Sequence, residues 1–353
     1  MKKKGIMMKS VFMTLFSISA VLMILNCDRS QTTQLDSNDT ETILNNLVGM
    51  DSELTLDALS DEEIANEIFM DGESDELGRL NVTENFDLPI RWGRFVHNIQ
   101  GTVQFEPYET GADTIYALIE RIITGDLVIV NGDTTTTDSG FVFMPTDTLS
   151  KPFEMFSTRR VMFARVFGFD DSFHGWRIRG KSPVFIRSDP SNVDITSITL
   201  LRQDINSEWQ SSFTFVNSDS ALSYLITNHN IPRFINHQRV KALLQVENTN
   251  PDEDLYPDSG EGAFLHYGQF HHLKGRHPMF DDGGLVDYHG NSSGDAYEND
   301  NEFTRIIRVR RQIGASDRNI YKMYFDVIDY ETLLNPDGEY HSTVIGIPYI
   351  IMN

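Results

Sequence analysis

From Asn81 to the end of the chain, apolar residues recur at every second position in short runs, and this period restricts the fold more than any other feature. Val240, Ala242, Leu244 and Val246 alternate with Lys241, Gln245 and Glu247, which describes a strand with one face buried. The same period returns at Trp209, Ser211, Phe213 and Phe215, and at Tyr321, Met323, Phe325 and Val327. Gly, Asp, Asn and Pro punctuate the runs, as turns between strands require. With 353 residues, 40% hydrophobic and 23 of them Phe, the chain can bury one or two sizeable cores. A mainly β fold is expected.

Two β-sandwich domains fit the spacing of the runs. In residues 81–190, a sandwich or barrel, candidate strands are Thr102 to Glu106, Thr114 to Ile123, Asp126 to Val130, Gly140 to Met144, Arg160 to Gly168 and Trp176 to Arg179. Gly125-Asp126 is placed as a hairpin turn between two of them. Ser188-Asp189-Pro190-Ser191-Asn192 concentrates turn formers and marks the boundary. In residues 191–353, Asp219 to Thr227 is expected as a short helix. Tyr340 to Ile351 is expected as a terminal strand, put at a sheet edge by Pro348. This second region resembles the immunoglobulin-like sandwiches of bacterial surface proteins, without their diagnostic Cys-Trp-Cys set. A fold so widely reused implies no function.

The start of the chain speaks to location. Lys2, Lys3, Lys4 and Lys9 precede a mostly apolar run from Val11 to Ile24, closed by Cys27. An apolar core of about 14 residues is short for a membrane span and has the form of an export signal. With the cysteine at its end, the stretch resembles the lipobox of bacterial lipoproteins, with Asn26 where that family usually has Gly, Ala or Ser. The resemblance implies that residues 1–26 are a signal peptide and that Cys27 carries lipid, palmitate included. Cys27 is the only cysteine in the chain, so internal disulfides and thiolate metal sites are excluded. Asp28 to Leu80 holds 15 acidic residues against Arg29 and Arg79. It is expected to be a mostly disordered tether, residues 27–80, interrupted by a helix from Ser60 to Met70 that begins with a capping-box spacing, Ser60 and Glu63.

The formal charge of −23 becomes about −27 once the four leader lysines are set aside. Such a field repels phosphate backbones and argues against nucleic-acid binding. The run Gly175-Trp176-Arg177-Ile178-Arg179-Gly180-Lys181-Ser182 matches the phosphate-loop pattern letter for letter. That pattern needs a helix starting at the Lys-Ser pair, whereas Pro183 and the strand-like Val184-Phe185-Ile186 follow here. Residues 175–182 are therefore expected to form a strand and to bind no nucleotide.

Five of the ten histidines fall between His266 and His289, among carboxylates. On one strand His266 and His272 would stand about 20 Å apart, so a shared ion is excluded for that pair. A metal site would have to be assembled in the loop, from His272, His277, Asp281, Asp282 and His289, and imidazole with carboxylate suits zinc. The polar loops Asn250 to Glu261 and Asp287 to Glu302 offer hard oxygens suited to calcium, without the twelve-residue spacing. Trp92, Trp176, Trp209, Tyr267 and Phe270 are candidates for an aromatic platform for sugars. The leading expectation is a lipid-anchored cell-envelope protein acting as a binding or structural module, with the membrane, envelope proteins or glycans as partners. An extracytoplasmic metal-dependent hydrolase centred on residues 266–289 and a carbohydrate-binding module are the alternatives.

Overall fold

The two-residue period becomes strand through most of the body. The computed structural model describes residues 37–51, 54, 90–137, 140–168, 172–218, 220–249, 260–268, 275–284, 294–298, 300–311 and 320–352. Residues 41–353 form one compact unit. Cys27 and the helix expected over residues 60–70 lie outside the described residues.

A helix, α1 (Ser37–Met50), precedes three long antiparallel strands, β1 (Ile90–Phe105), β2 (Thr114–Thr137) and β3 (Gly140–Arg165). Short strands follow as β4 (Trp176–Lys181) and β5 (Val184–Arg187), then β6 (Val193–Gln203), β7 (Trp209–Val216), β8 (Ile226–Thr227) and β9 (Arg233–Ile235). The C-terminal half continues with β10 (Arg239–Asn248), β11 (Glu261–Gly268), β12 (Gly275–Pro278), β13 (Glu302–Arg308), β14 (Ile320–Asp329), the short helix α2 (Tyr330–Leu334) and β15 (Ser342–Met352). Among the described residues these build two sheets. The larger runs β1-β2-β3-β5-β15-β14-β11-β12 with β4, β8 and β9 attached, and the smaller runs β13-β10-β6-β7.

The smaller sheet packs on the central strands of the larger one and makes a sandwich. Val240, Ala242, Leu244, Ile198, Leu200 and Phe213 face Leu265, Met323, Phe325, Val327, Ile345 and Ile347 across a continuous apolar core. The opposite face of β11, β14 and β15 is covered too. There β1, β2 and β3 fold across it, and Trp92, Ile129, Phe153 and Met155 pack on Phe264, Tyr324, Ile328 and Val344. A third core lies at the far end of β2 and β3, where Leu44 and Val48 of α1, with Leu54, cover Ile115, Ile119, Val161 and Phe163. Part of the stretch expected as tether is therefore helix, because Leu44 and Val48 are one turn apart on one face and find an apolar bed.

The larger sheet is continuous across the expected boundary near residue 190, since β5 pairs with β3 on one side and with β15 on the other. Gly125-Asp126 is not a turn but part of unbroken β2, opposite Val96 and Phe95. A Cβ on Gly125 would lie 2.0 Å from the Phe95 carbonyl oxygen, so close approach of the backbones explains the glycine. The bulge at His97, between the pairs Val96–Gly125 and Asn98–Thr124, lets Trp92 and Arg94 share a face with Val103 and Phe105. The expected helix over residues 219–227 reduces to one 3-10 turn, Ala221–Ser223, before β8.

β15 is interior, not an edge. It pairs with β14 along its length, with β5 over Thr343–Gly346 and with β9 over Ile350–Met352. Ile350 donates its amide to Pro232 on the β9 side. Pro348, two residues earlier and of the same parity, thus aims its donor-less nitrogen at the gap between β5 and β9, where no ladder bond is lost.

Candidate functional site

Alternation also decides what meets between the layers. On β1, Trp92 and Arg94 point to the same side, and on β11, β14 and β15 the even-numbered residues Phe264, His266, Tyr324, Asp326 and Ser342 point back at them. Arg94 and Asp326 are 1% and 0% exposed and form a bidentate pair, with Nη1 to Oδ2 at 2.6 Å and Nη2 to Oδ1 at 2.8 Å. Arg94 also donates to the Ser342 hydroxyl at 2.9 Å and, through Nε, to the Tyr340 hydroxyl at 2.5 Å. His266 Nε2 stands 3.2 Å from Asp326 Oδ2. Burial alone would push the Asp326 carboxyl up, but Arg94 and His266 together hold it well below the usual carboxylate range.

Aromatic faces enclose this pair. The Arg94 guanidinium lies 4.9 Å from the Trp92 ring centre, and Arg276 of β12 lies 3.5 Å from the same ring while donating to the Trp92 carbonyl at 2.7 Å. Trp92 meets Phe264 edge-on at 5.4 Å. The arrangement joins three parts of the chain far apart in sequence, β1, β11–β12 and β14–β15, through charge-assisted bonds inside a low-dielectric layer. Chemically it holds Asp326 ionised and presents an imidazole, a guanidinium and the Ser342 hydroxyl to one carboxylate.

The residues singled out from the sequence are placed differently. His277 sits on β12 opposite Leu265 and stacks on Tyr267, ring centres 5.0 Å apart. Burial, then the charges of Arg305 and His266, pushes the imidazole down to about 4, so it is neutral at pH 7. Asp281 accepts the amides of Asp300 and Asn301 at 3.1 and 2.8 Å, and burial pushes its carboxyl up to about 6. The Asp282 carboxylate accepts the Gly284 amide at 2.9 Å, and its backbone pairs with that of Glu298 in an isolated antiparallel bridge. Each of these two aspartates shapes a turn. His272 and His289 lie outside the described residues, as do Phe270 and most of the loop from Asn250. Among the described residues no group of three or more His, Cys, Asp or Glu side chains gathers where zinc or calcium could be held.

Of the proposed sugar platform, Trp92 and Trp176 are core residues, 1% and 3% exposed, and Tyr267 packs on the sandwich core. Trp209, at the start of β7, is half-exposed. The phosphate-loop match is strand β4 followed by β5, as its alternation implied, and Lys181 pairs with Asp51 at 2.7 Å. Among the described residues no helix is long and apolar enough to cross a membrane.

Comparison with protein-family models, with curated proteins and with solved structures finds no match for this chain. The Arg94–Asp326 centre escaped the sequence reading, although one signal for it exists. Asp326 stands between Tyr324, Phe325, Val327 and Ile328, and a charge so flanked by apolar residues of both parities must be buried with a partner.

Proposed function

We propose that this protein is a lipid-anchored component of a bacterial cell envelope whose β body acts as a binding or structural module. The observation that carries the reading is the chain's single cysteine, Cys27, closing a lysine-led apolar run. The body supports it in one respect. Buried Arg94 and His266 are both engaged with buried Asp326 between the layers, while the outer face of the small sheet carries exposed residues such as Arg239 and Arg308. Metabolic labelling with a palmitate analogue in a bacterial host tests the anchor. Label on the wild-type chain and none on Cys27→Ser is expected, with the mature chain starting at residue 27. An unlabelled wild-type protein overturns the reading.

A further inference from the structure

The outer face of the small sheet carries an unusual row. Arg308 on β13 stands directly opposite Arg239 on β10, and Arg310, exposed, follows the buried Val309 just beyond the end of β13. Arg239 Nη1 reaches the Gln203 side-chain oxygen at 3.5 Å, and Gln203 of β6 is in turn paired with Trp209 of β7. The guanidinium of Arg239 lies 5.9 Å from the Trp209 ring centre. Reading across four strands, the row is Arg308, Arg239, Gln203, Trp209. Strand spacing gives it a length of about 14 Å.

Two features of the row lack a structural explanation. Like charges opposite each other in an antiparallel pair destabilise it. No described carboxylate forms an ion pair with Arg239, Arg308 or Arg310, although the chain carries 52 acidic residues. In the β6–β7 turn beside Trp209, Asp204 is occupied by the amides of Asn206 and Glu208. All three arginines are exposed, and Trp209 and Gln203 are half-exposed. An acidic protein that keeps three guanidinia without a described ion-pair partner, beside an amide and an indole, has a surface complementary to a flat, polar, anionic ligand. Indole offers an apolar plate to a sugar ring, and paired guanidinia bind carboxylate or sulfate in bidentate fashion.

We propose that the Arg308–Arg239–Gln203–Trp209 row binds an anionic saccharide, a short chain of uronic acid or sulfated sugar units. This deepens the binding reading above and rests on its module half, independent of the Cys27 anchor. The probes are oligogalacturonate, a sulfated oligosaccharide, a neutral cello-oligosaccharide and vesicles rich in anionic lipid. Each is titrated against the full-length protein in mild detergent, followed by tryptophan fluorescence and calorimetry; vesicle binding is followed by co-sedimentation of the detergent-free Cys27→Ser protein. At least one anionic saccharide is expected to bind and to weaken with added salt, while the neutral one does not. Arg239→Gln with Arg308→Gln should weaken binding roughly tenfold or more without lowering the thermal melt, and Trp209→Ala by a similar factor with little change in the melt. Absence of binding, or binding that these variants leave unchanged, overturns the proposal. Vesicle binding lost in the same variants, without saccharide binding, overturns it in favour of a membrane-facing surface. Palmitate labelling at Cys27 is read separately, so failure here is distinguishable from failure of the anchor.

Discussion

The two faces of the central strands β11, β14 and β15 are built on opposite principles. The odd-numbered face is hydrocarbon: Ala263, Leu265, Met323, Phe325, Val327, Ile345 and Ile347 meet the small sheet with no charge among them. On the even-numbered face Phe264, Tyr324 and Val344 are interrupted by His266, Asp326 and Ser342, and the strands covering it supply Trp92 and Arg94. An apolar face tolerates many partners of suitable shape, whereas a buried carboxylate tolerates few. The sandwich is thus where burial stabilises the fold. The ionic face is where the register of β1 against β14 is specified, because a displacement of two residues would strand both charges.

Removing one charge should have the largest effect. Arg94→Met leaves Asp326 buried without its main partner and is expected to cost roughly 3–5 kcal/mol in denaturant unfolding. The double variant Arg94→Met with Asp326→Leu should recover most of that loss, since a well-packed apolar pair replaces the ion pair. A double variant no more stable than the single one would refute the account of Asp326 as the stranded group. On the other face, Phe325→Ala should cost about 3–5 kcal/mol through the cavity it leaves, and no second substitution to a polar residue should rescue it. If Phe325→Ala proved nearly neutral, the contrast between the faces would fail.

The same contrast explains what was legible in the sequence. Alternation at Tyr321, Met323, Phe325 and Val327 marked the odd face of β14 correctly, because burial against one sheet leaves a period of two. Lys322, Tyr324 and Asp326, read by the same rule, belong to a solvent face, yet Tyr324 and Asp326 are buried by the strands β1 to β3, far earlier in the chain. The apolar residues flanking Asp326 on both parities mark its burial, but nothing local encodes which strands supply the cover. Gly125 was read through its turn propensity when its role is to admit the Phe95 carbonyl, and α1 was hidden by the acidic composition around Leu44 and Val48. Of the proposed metal ligands, His277, Asp281 and Asp282 fall among the described residues, and each is engaged in stacking or turn formation.

Carboxyl groups on the two faces should also titrate in opposite senses, which sharpens the comparison at a smaller scale. Glu261 and Asp329 face each other across β11 and β14 at the margin of the apolar face, both fully buried. Burial dominates there, against the bond from Asn248 at 2.9 Å, and pushes Glu261 up from 4.5 to about 7, aided by the charge of Asp329. Its folded form therefore keeps a proton that the unfolded chain has released. Stability from this group is greatest below its ordinary value and declines as pH rises through 4.5 to about 7, by roughly 3 kcal/mol in all. Asp326 has the reverse sign: its contribution is present above the ordinary carboxylate range and is lost as pH falls below it toward the depressed folded value. His277, pushed down to about 4, adds a loss of stability on acidification below its usual 6.5 and would mask part of the Glu261 trend in the wild type. The difference between Glu261→Gln and wild type removes that common background. The variant should gain on wild type by roughly 3 kcal/mol between about pH 4.5 and pH 7, measured by denaturant unfolding across that range. Parallel profiles would mean that Glu261 is ionised in the folded protein, and that the two faces do not differ in how they treat a buried carboxylate.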